Sequence, residues 1–142
     1  MRIEVAARAD DELYEAFQRL VPQMTHNNPP PTREELFALL QGPSSTLLLA
    51  RADSGQIIGA LTLAVYRVPT GVRSIIEDVI VDISVRGQGV GEALVRAAIE
   101  LAREKGAQNV SLTANPMREA ANNLYLKLGF HKRNTNAYQI KF

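Results

Sequence analysis

Residues 72–114 constrain the fold more than any other stretch. An apolar run, "VRSIIEDVIVDI" (72–83), leads into the glycine-rich "SVRGQGVG" (84–91), and a second apolar run, "NVSLTA" (109–114), follows further on. Between them Val90, Leu94, Ala97, Ala98 and Leu101 recur at helical spacing, with Glu92, Arg96, Glu100 and Arg103 largely outside that stripe. The pattern predicts an amphipathic helix over 89–105, stopped by Gly106. Strand, loop, helix and strand at this spacing form a crossover unit, and a crossover of this kind requires a parallel strand pair. Upstream, "STLLLARA" (45–52) and "QIIGALTLAVYRV" (56–68) are joined by "DSG", and "PTG" (69–71) leads into the strand at 72. Those turns predict an antiparallel meander feeding the crossover. A mixed α/β sheet follows.

The flanks extend it. "RIEVAA" (2–7) predicts a first strand, and Leu13, Phe17, Leu20 and Val21 a helix over 10–21 that Pro22 stops. Residues 23–31, "QMTHNNPPP", predict a loop. Thr32 and Glu35 form a capping-box pattern for a short helix carrying Leu36, Leu39 and Leu40, ended by Gly42-Pro43. Beyond the crossover, Asn115 as N-cap and Pro116 at the first helical position predict another helix, closed by Gly129. Met117, Ala121, Leu124 and Leu128 form its core stripe, and Arg118, Asn122 and Tyr125 share another face. "FHKRN" and "AYQIKF" predict the last two strands. The expected order is β-α-α-β-β-β-α-β-α-β-β, with about seven strands in one domain over 1–142.

Composition removes several functions. With 46% hydrophobic and 22% charged residues among 142, the chain has a soluble globular make-up. A net charge of +1 gives no reason to expect nucleic acid, although Lys127, His131, Lys132 and Arg133 form a local basic strip. There is no cysteine, and His26 and His131 lie too far apart to read as a metal pair, so no metal is expected. Glu4, Arg8, Asp10 and Asp11 interrupt any N-terminal apolar stretch, and no run is long enough for a membrane. The expected location is cytoplasmic.

The glycine loop fails two familiar templates. A dinucleotide fingerprint begun at Gly87 or Gly89 would need glycine where Glu92 or Leu94 stands, and no Gly-Lys-Ser/Thr follows. Its chemistry is nevertheless that of an anion site. A helix N-terminus presents unpaired N–H groups and the positive end of the dipole, and glycines let a pyrophosphate approach them. Arg86 adds a positive charge.

Arg86-x-x-Gly89-x-Gly91 after an apolar strand resembles the acetyl-CoA loop of the GNAT family of N-acetyltransferases. Ala121-x-x-x-Tyr125-x-x-x-Gly129-Phe130 resembles that family's second signature. The element order over 45–142 is similar as well. The resemblance implies a mixed, mostly antiparallel sheet with a central parallel pair splayed at the acetyl-CoA site and helices on both faces. It implies transfer of an acetyl group from acetyl-CoA to a primary amine of a small molecule or peptide by direct attack. Backbone amides of Gly87, Gln88, Gly89, Val90, Gly91 and Glu92 would hold the pyrophosphate, with Arg86 beside them. The strand around Val79, Ile80, Val81 and Ile83 would pair with the pantetheine arm, and Asn115, Arg118, Asn122 and Tyr125 would line the cofactor groove. Many members carry asparagine where Arg118 stands. Tyr125 would protonate the departing thiolate, since a phenol stays protonated at neutral pH. Glu77, or its neighbour Asp78, or a water chain, would take the amine proton. "IEDVIV" is similar to a strand of glucosamine-6-phosphate N-acetyltransferases, over too few residues to assign an acceptor. A catalytically idle acyl-CoA-binding or interaction domain of the same fold is the alternative. The C-terminal strand leaves room for a homodimer.

Overall fold

A computed structural model describes residues 1–142 as two compact units, Met1–Leu112 and Thr113–Phe142. In the first unit five strands lie in chain order: β1 (Arg2–Val5), β2 (Ser45–Arg51), β3 (Ile57–Val68), β4 (Gly71–Val81) and β5 (Val110–Ser111). The first four pair antiparallel. β4 and β5 are the expected parallel pair, through Ser74–Val110 and Ile75–Ser111.

Helices α1 (Asp11–Met24) and α2 (Arg33–Gln41) cover one face of this sheet, and α3 (Val90–Glu104) the other. The first helix starts where Asp10 accepts a hydrogen bond from the Leu13 amide at 3.0 Å, with Asp11 and Glu12 against the positive dipole end. Its buried stripe, Leu13, Ala16, Phe17, Leu20 and Val21, packs with Leu36 of α2 on Leu47, Leu49, Ile57, Ala60 and Ile80. Each fully buried aliphatic side chain there contributes about 1.5–3 kcal/mol. Pro22 does not stop α1, which runs on to Met24. Pro22 and Gln18 both lie on the exposed side, so water can take the carbonyl that loses its N–H donor. The capping box of α2 is present, with Glu35 N donating to Thr32 Oγ1 at 3.1 Å and Thr32 N to Glu35 Oε1 at 3.0 Å.

On the opposite face α3 buries Val90, Leu94, Val95, Ala98 and Ala102. It sits close to β3 at Gly59, where a Cβ would come within 3.1 Å of Val90 and 3.2 Å of Leu94. That contact fixes the beginning of the helix, and with it the downstream end of the glycine loop.

Two departures in this unit matter for function. Strand pairing between β3 and β4 slips, with Thr62 opposite Glu77 but Ala60 opposite Ile80. Asp78 and Val79 therefore face the single Leu61, a β-bulge in which Asp78 has φ +49°. Glu77 and Asp78 still fall on opposite sides of the sheet, Glu77 opposite Thr62 and Asp78 opposite Leu61, but Glu77 and Ile80 share the α1 face in spite of their odd spacing. Glu77 and Asp78 are both exposed. The run to 83 is also shorter than expected. β4 ends at Val81, and Asp82 caps a single 3₁₀ turn, Ile83–Val85.

In the second unit, α4 spans Glu119–Lys127 and starts one turn later than Asn115-Pro116 predicts. Asn115 instead closes a turn of its own, its Oδ1 accepting from Met117 N at 2.9 Å and its carbonyl from Arg118 N at 3.0 Å. Gly129, at φ +100°, ends the helix. Phe130 N donates to Tyr125 O at 3.0 Å and Gly129 N to Leu126 O at 3.1 Å, the two bonds of a Schellman cap. The stripe Met117, Ala121, Leu124 and Leu128 is not a buried core: no side chain of α4 is buried, and Met117 is 85% exposed. The sheet has five strands, not seven, because "FHKRN" and "AYQIKF" form none. Alternating apolar side chains define a face, but a strand is made by a neighbour's hydrogen bonds, and residues 131–142 engage no backbone partner. Tyr138, Ile140 and Phe142 are exposed. The predicted strand 109–114 shrinks to Val110–Ser111 for the same reason: only two residues meet β4.

Candidate active site

Pairing of β4 with β5 stops at Ile75, so the β4 backbone from Ile76 to Val81 has no strand on that side. This is the opening that the splayed parallel pair leads one to expect, and Val79, Ile80 and Val81 lie along it. The Ile80 side chain is buried in the α1 core, so what Ile80 offers here is backbone.

The chain leaves β4 through a tightly bonded corner. Asp82, 7% exposed, accepts from Ser84 N at 3.0 Å, from Ser84 Oγ at 2.9 Å and from Arg19 Nε at 3.4 Å. The Ser84 amide, helped by the Ser84 hydroxyl and Arg19, holds the Asp82 carboxyl below the usual aspartate range against the opposing effect of burial. Arg19 also donates to the Ile57 carbonyl. Ile83 N donates to Gln23 Oε1 at 2.7 Å, and Val85 N to Asp82 O at 3.0 Å.

Beyond the corner the bonding stops. Gly87 and Gly89 take φ +78° and +85°, and a Cβ at either would meet nothing within 4 Å. These glycines are required by backbone conformation, not by crowding within the chain. Gly89 is the N-cap of α3 and supplies no side-chain cap, and the amides from Gly87 to Gly91 donate to no protein acceptor. A row of unspent amides at the positive end of a fifteen-residue helix suits an anion. Arg86 has a second duty here, with Nε donating to Val81 O at 3.3 Å and Nη2 to Gln23 O at 3.5 Å. Glu92, on the first turn, is paired with Arg96 at 3.0 Å, which offsets its charge beside the loop.

The second unit carries the other expected residues. Asn122 Nδ2 donates to Asn115 O at 3.0 Å and to Arg118 O at 2.8 Å, so Asn115 and Asn122 together brace the turn that starts α4. Tyr125 is half-buried, and Phe130 meets its ring edge-on, with centroids 5.9 Å apart. Burial pushes its phenol pKa up, and the positive charge of Arg118 opposes that rise. The structure thus brings Val79, Ile80, Val81, Ile83 and Arg86 to Glu92 into one stretch of the first unit. Asn115, Arg118, Asn122 and Tyr125 lie together on α4 and its leading turn. His26 is exposed in the loop after α1.

The sequence reading missed Arg19, Gln23 and Asp82. Asp82 carried a signal, since Asp-x-Ser is an Asx-turn pattern at the end of a strand. Arg19 and Gln23 carried none, because their partners are some 60 residues away along the chain.

Open strand edge, glycine turn and helix N-terminus thus form one continuous run of unspent backbone groups. The acetyltransferase (GNAT) family model matches residues 11–130, and the chain belongs to that family. A glucosamine 6-phosphate N-acetyltransferase of Trypanosoma brucei brucei is 37% identical over 93 residues, 62% of this chain and 61% of that protein. This chain therefore matches less than two thirds of that relative's length. Glucosamine 6-phosphate N-acetyltransferase 1 of Oryza sativa subsp. japonica is 32% identical over 115 residues, 74% of this chain and 68% of that protein. Among solved structures, a Trypanosoma brucei acetyltransferase superposes with a TM-score of 0.80 at 25% identity, covering 99% of both chains. The mixed sheet with a parallel pair is that family's fold.

Proposed function

We propose that the chain is an acetyl-CoA-dependent N-acetyltransferase acting on a primary amine. The observation that carries the reading is the run of unspent amides from Gly87 to Gly91, opening α3 directly beyond a strand whose outer edge is unpaired. Acetyl-CoA supplies an acetyl thioester and a pyrophosphate. The amides of residues 87–92 would hold the pyrophosphate, and the free β4 backbone near Val79 to Val81 would align the pantetheine arm. Arg118 would offer the cofactor a positive charge, and Asn115 and Asn122 brace the turn before α4.

A bond forms between amine nitrogen and acetyl carbon, the carbon–sulfur bond breaks, and two protons must move. Glu77 is the preferred acceptor of the amine proton, directly or through water. It is exposed, and the bulge puts it on the α1 face of β4 at the open end of the sheet. Asp78 is the alternate base. Tyr125 is the donor to the thiolate, since burial keeps its hydroxyl protonated well past neutrality. The amino sugar phosphate named for two relatives makes glucosamine 6-phosphate the first acceptor to assay, beside aminoglycosides, polyamines and peptide amines.

The test is thermal shift with CoA and acetyl-CoA, with Gly89→Trp as control, followed by free-thiol release over the amine panel. CoA should stabilise the wild type and leave the variant unmoved. Stabilisation without thiol release on any amine would favour an idle acyl-CoA-binding domain. No stabilisation by either ligand removes both readings.

A further inference from the structure

The loop assigned to the pyrophosphate consists of two left-handed glycines and unspent amides, with Gly87, Gln88 and Gly89 exposed. Such a segment is flexible by composition, and ordering it on a ligand costs affinity unless its two ends are held. The downstream end is held where Val90 and Leu94 pack against β3 at Gly59. The upstream end is the 3₁₀ turn, in which each amide has an acceptor. Ser84 and Val85 bond back to Asp82, within the same segment, and only the Ile83 amide reaches another element for its acceptor, Gln23 Oε1 at 2.7 Å.

Gln23 makes two further contacts that fix that acceptor. Its Nε2 donates to the Arg19 carbonyl at 3.2 Å, and its own carbonyl accepts from Arg86 Nη2 at 3.5 Å. The preceding residue is Pro22, whose ring locks φ in the last turn of α1. A stiffened helix end therefore grips both sides of the 3₁₀ turn, at Ile83 and at Arg86. Gln23 is half-buried, and all these contacts lie within the first unit.

We propose that Gln23 is a positioning residue for the cofactor: it touches no part of CoA, but its bond to the Ile83 amide sets where the pyrophosphate loop begins. The inference rests on the acetyltransferase reading above. It gives α1 a task in cofactor affinity.

The experiment is isothermal titration of CoA into the wild type, Gln23→Met, Ile83→Pro and the double variant. Methionine keeps the length and helix preference of Gln23 without its acceptor. Proline at 83 removes the donor at the cost of the largely exposed Ile83 side chain, and the extended ψ of 132° at Asp82 tolerates a following proline. Each single variant should bind CoA about threefold to tenfold more weakly, the range expected for one hydrogen bond, and the double variant no more weakly than the worse single one. Stoichiometry reports the folded fraction separately, so general destabilisation would lower it and leave Kd unchanged. Wild-type affinity in Gln23→Met, or losses that multiply in the double variant, would overturn the role of Gln23 and leave the acetyltransferase reading standing. Absence of CoA binding to the wild type removes that reading and this inference with it.

Discussion

Asp82 is the residue on which the corner between β4 and the glycine loop turns, and Asp82→Asn isolates its charge. The replacement keeps size and one acceptor oxygen. It converts two bonds from Ser84 and one from Arg19 from charge-assisted to neutral or mismatched contacts. Charge-assisted bonds contribute about 1.5–3 kcal/mol and neutral ones about 0.5–1.5, so the gross loss is roughly 2–4 kcal/mol. Two effects reduce it: burial no longer opposes a charge, and the Arg19 side chain, 36% exposed, can turn to water. A net loss of about 1.5–2.5 kcal/mol at pH 7 is expected, which for a chain of this size lowers Tm by roughly 4–8 °C. The pH dependence is the sharper test. The folded pKa of Asp82 lies below its unfolded value, so the carboxylate's contribution is complete above the ordinary aspartate value of ~3.9 and disappears as pH falls through the folded pKa. Urea unfolding of both proteins from pH 7 down into acid should therefore show a gap that stays constant to about pH 5, then narrows and closes. A gap that persists unchanged in acid, or is absent at pH 7, would refute the assignment of stability to this charge.

Three further outcomes follow from the second unit. Tyr125→Phe keeps the edge-on contact with Phe130 and should lower turnover about a hundredfold while CoA affinity stays near wild type; unchanged turnover removes its acid role. Because burial raises the phenol pKa, the alkaline fall in wild-type turnover that belongs to Tyr125 should come no lower than pH ~10. Gly129→Ala places a Cβ at φ +100° and strains both bonds of the helix cap, at a cost of about 1–2 kcal/mol in a urea titration. An alanine variant as stable as wild type would show that the cap can re-form without glycine.

The elements that could be read from residues alone are those whose signals are local. The α2 capping box joins Thr32 to Glu35, and the α3 stripe repeats within one helix. The crossover between β4 and β5 follows from the order of elements, without any knowledge of what packs on what. The failures all involve partners that sequence does not reveal. Pro22 looked like a stop because the solvent that accepts the freed carbonyl is not written in the chain. The alternation in "AYQIKF" describes a face, and nothing in the six residues supplies the neighbouring strand. The bulge at Asp78 depends on the β3 register, so the relation between Glu77 and Ile80 could not be read from their spacing.

The same distinction explains why the site was half legible. Within Tyr125, Gly129 and Phe130, the helix cap demands a residue type only at Gly129, and the two aromatic positions are joined by their ring contact. Gly129 provides the left-handed turn, and the Phe130 amide caps the Tyr125 carbonyl while the two rings meet edge-on. The glycine loop is legible for a related reason, since left-handed φ at 87 and 89 admits little besides glycine. What holds the loop is different in kind. Gln23, Arg19 and Arg86 could serve as solvated side chains anywhere, and only the packing of α1 beside the end of β4 turns them into a clamp. Residues that shape a loop leave a mark in the local pattern; residues that locate it are found only through their tertiary partners.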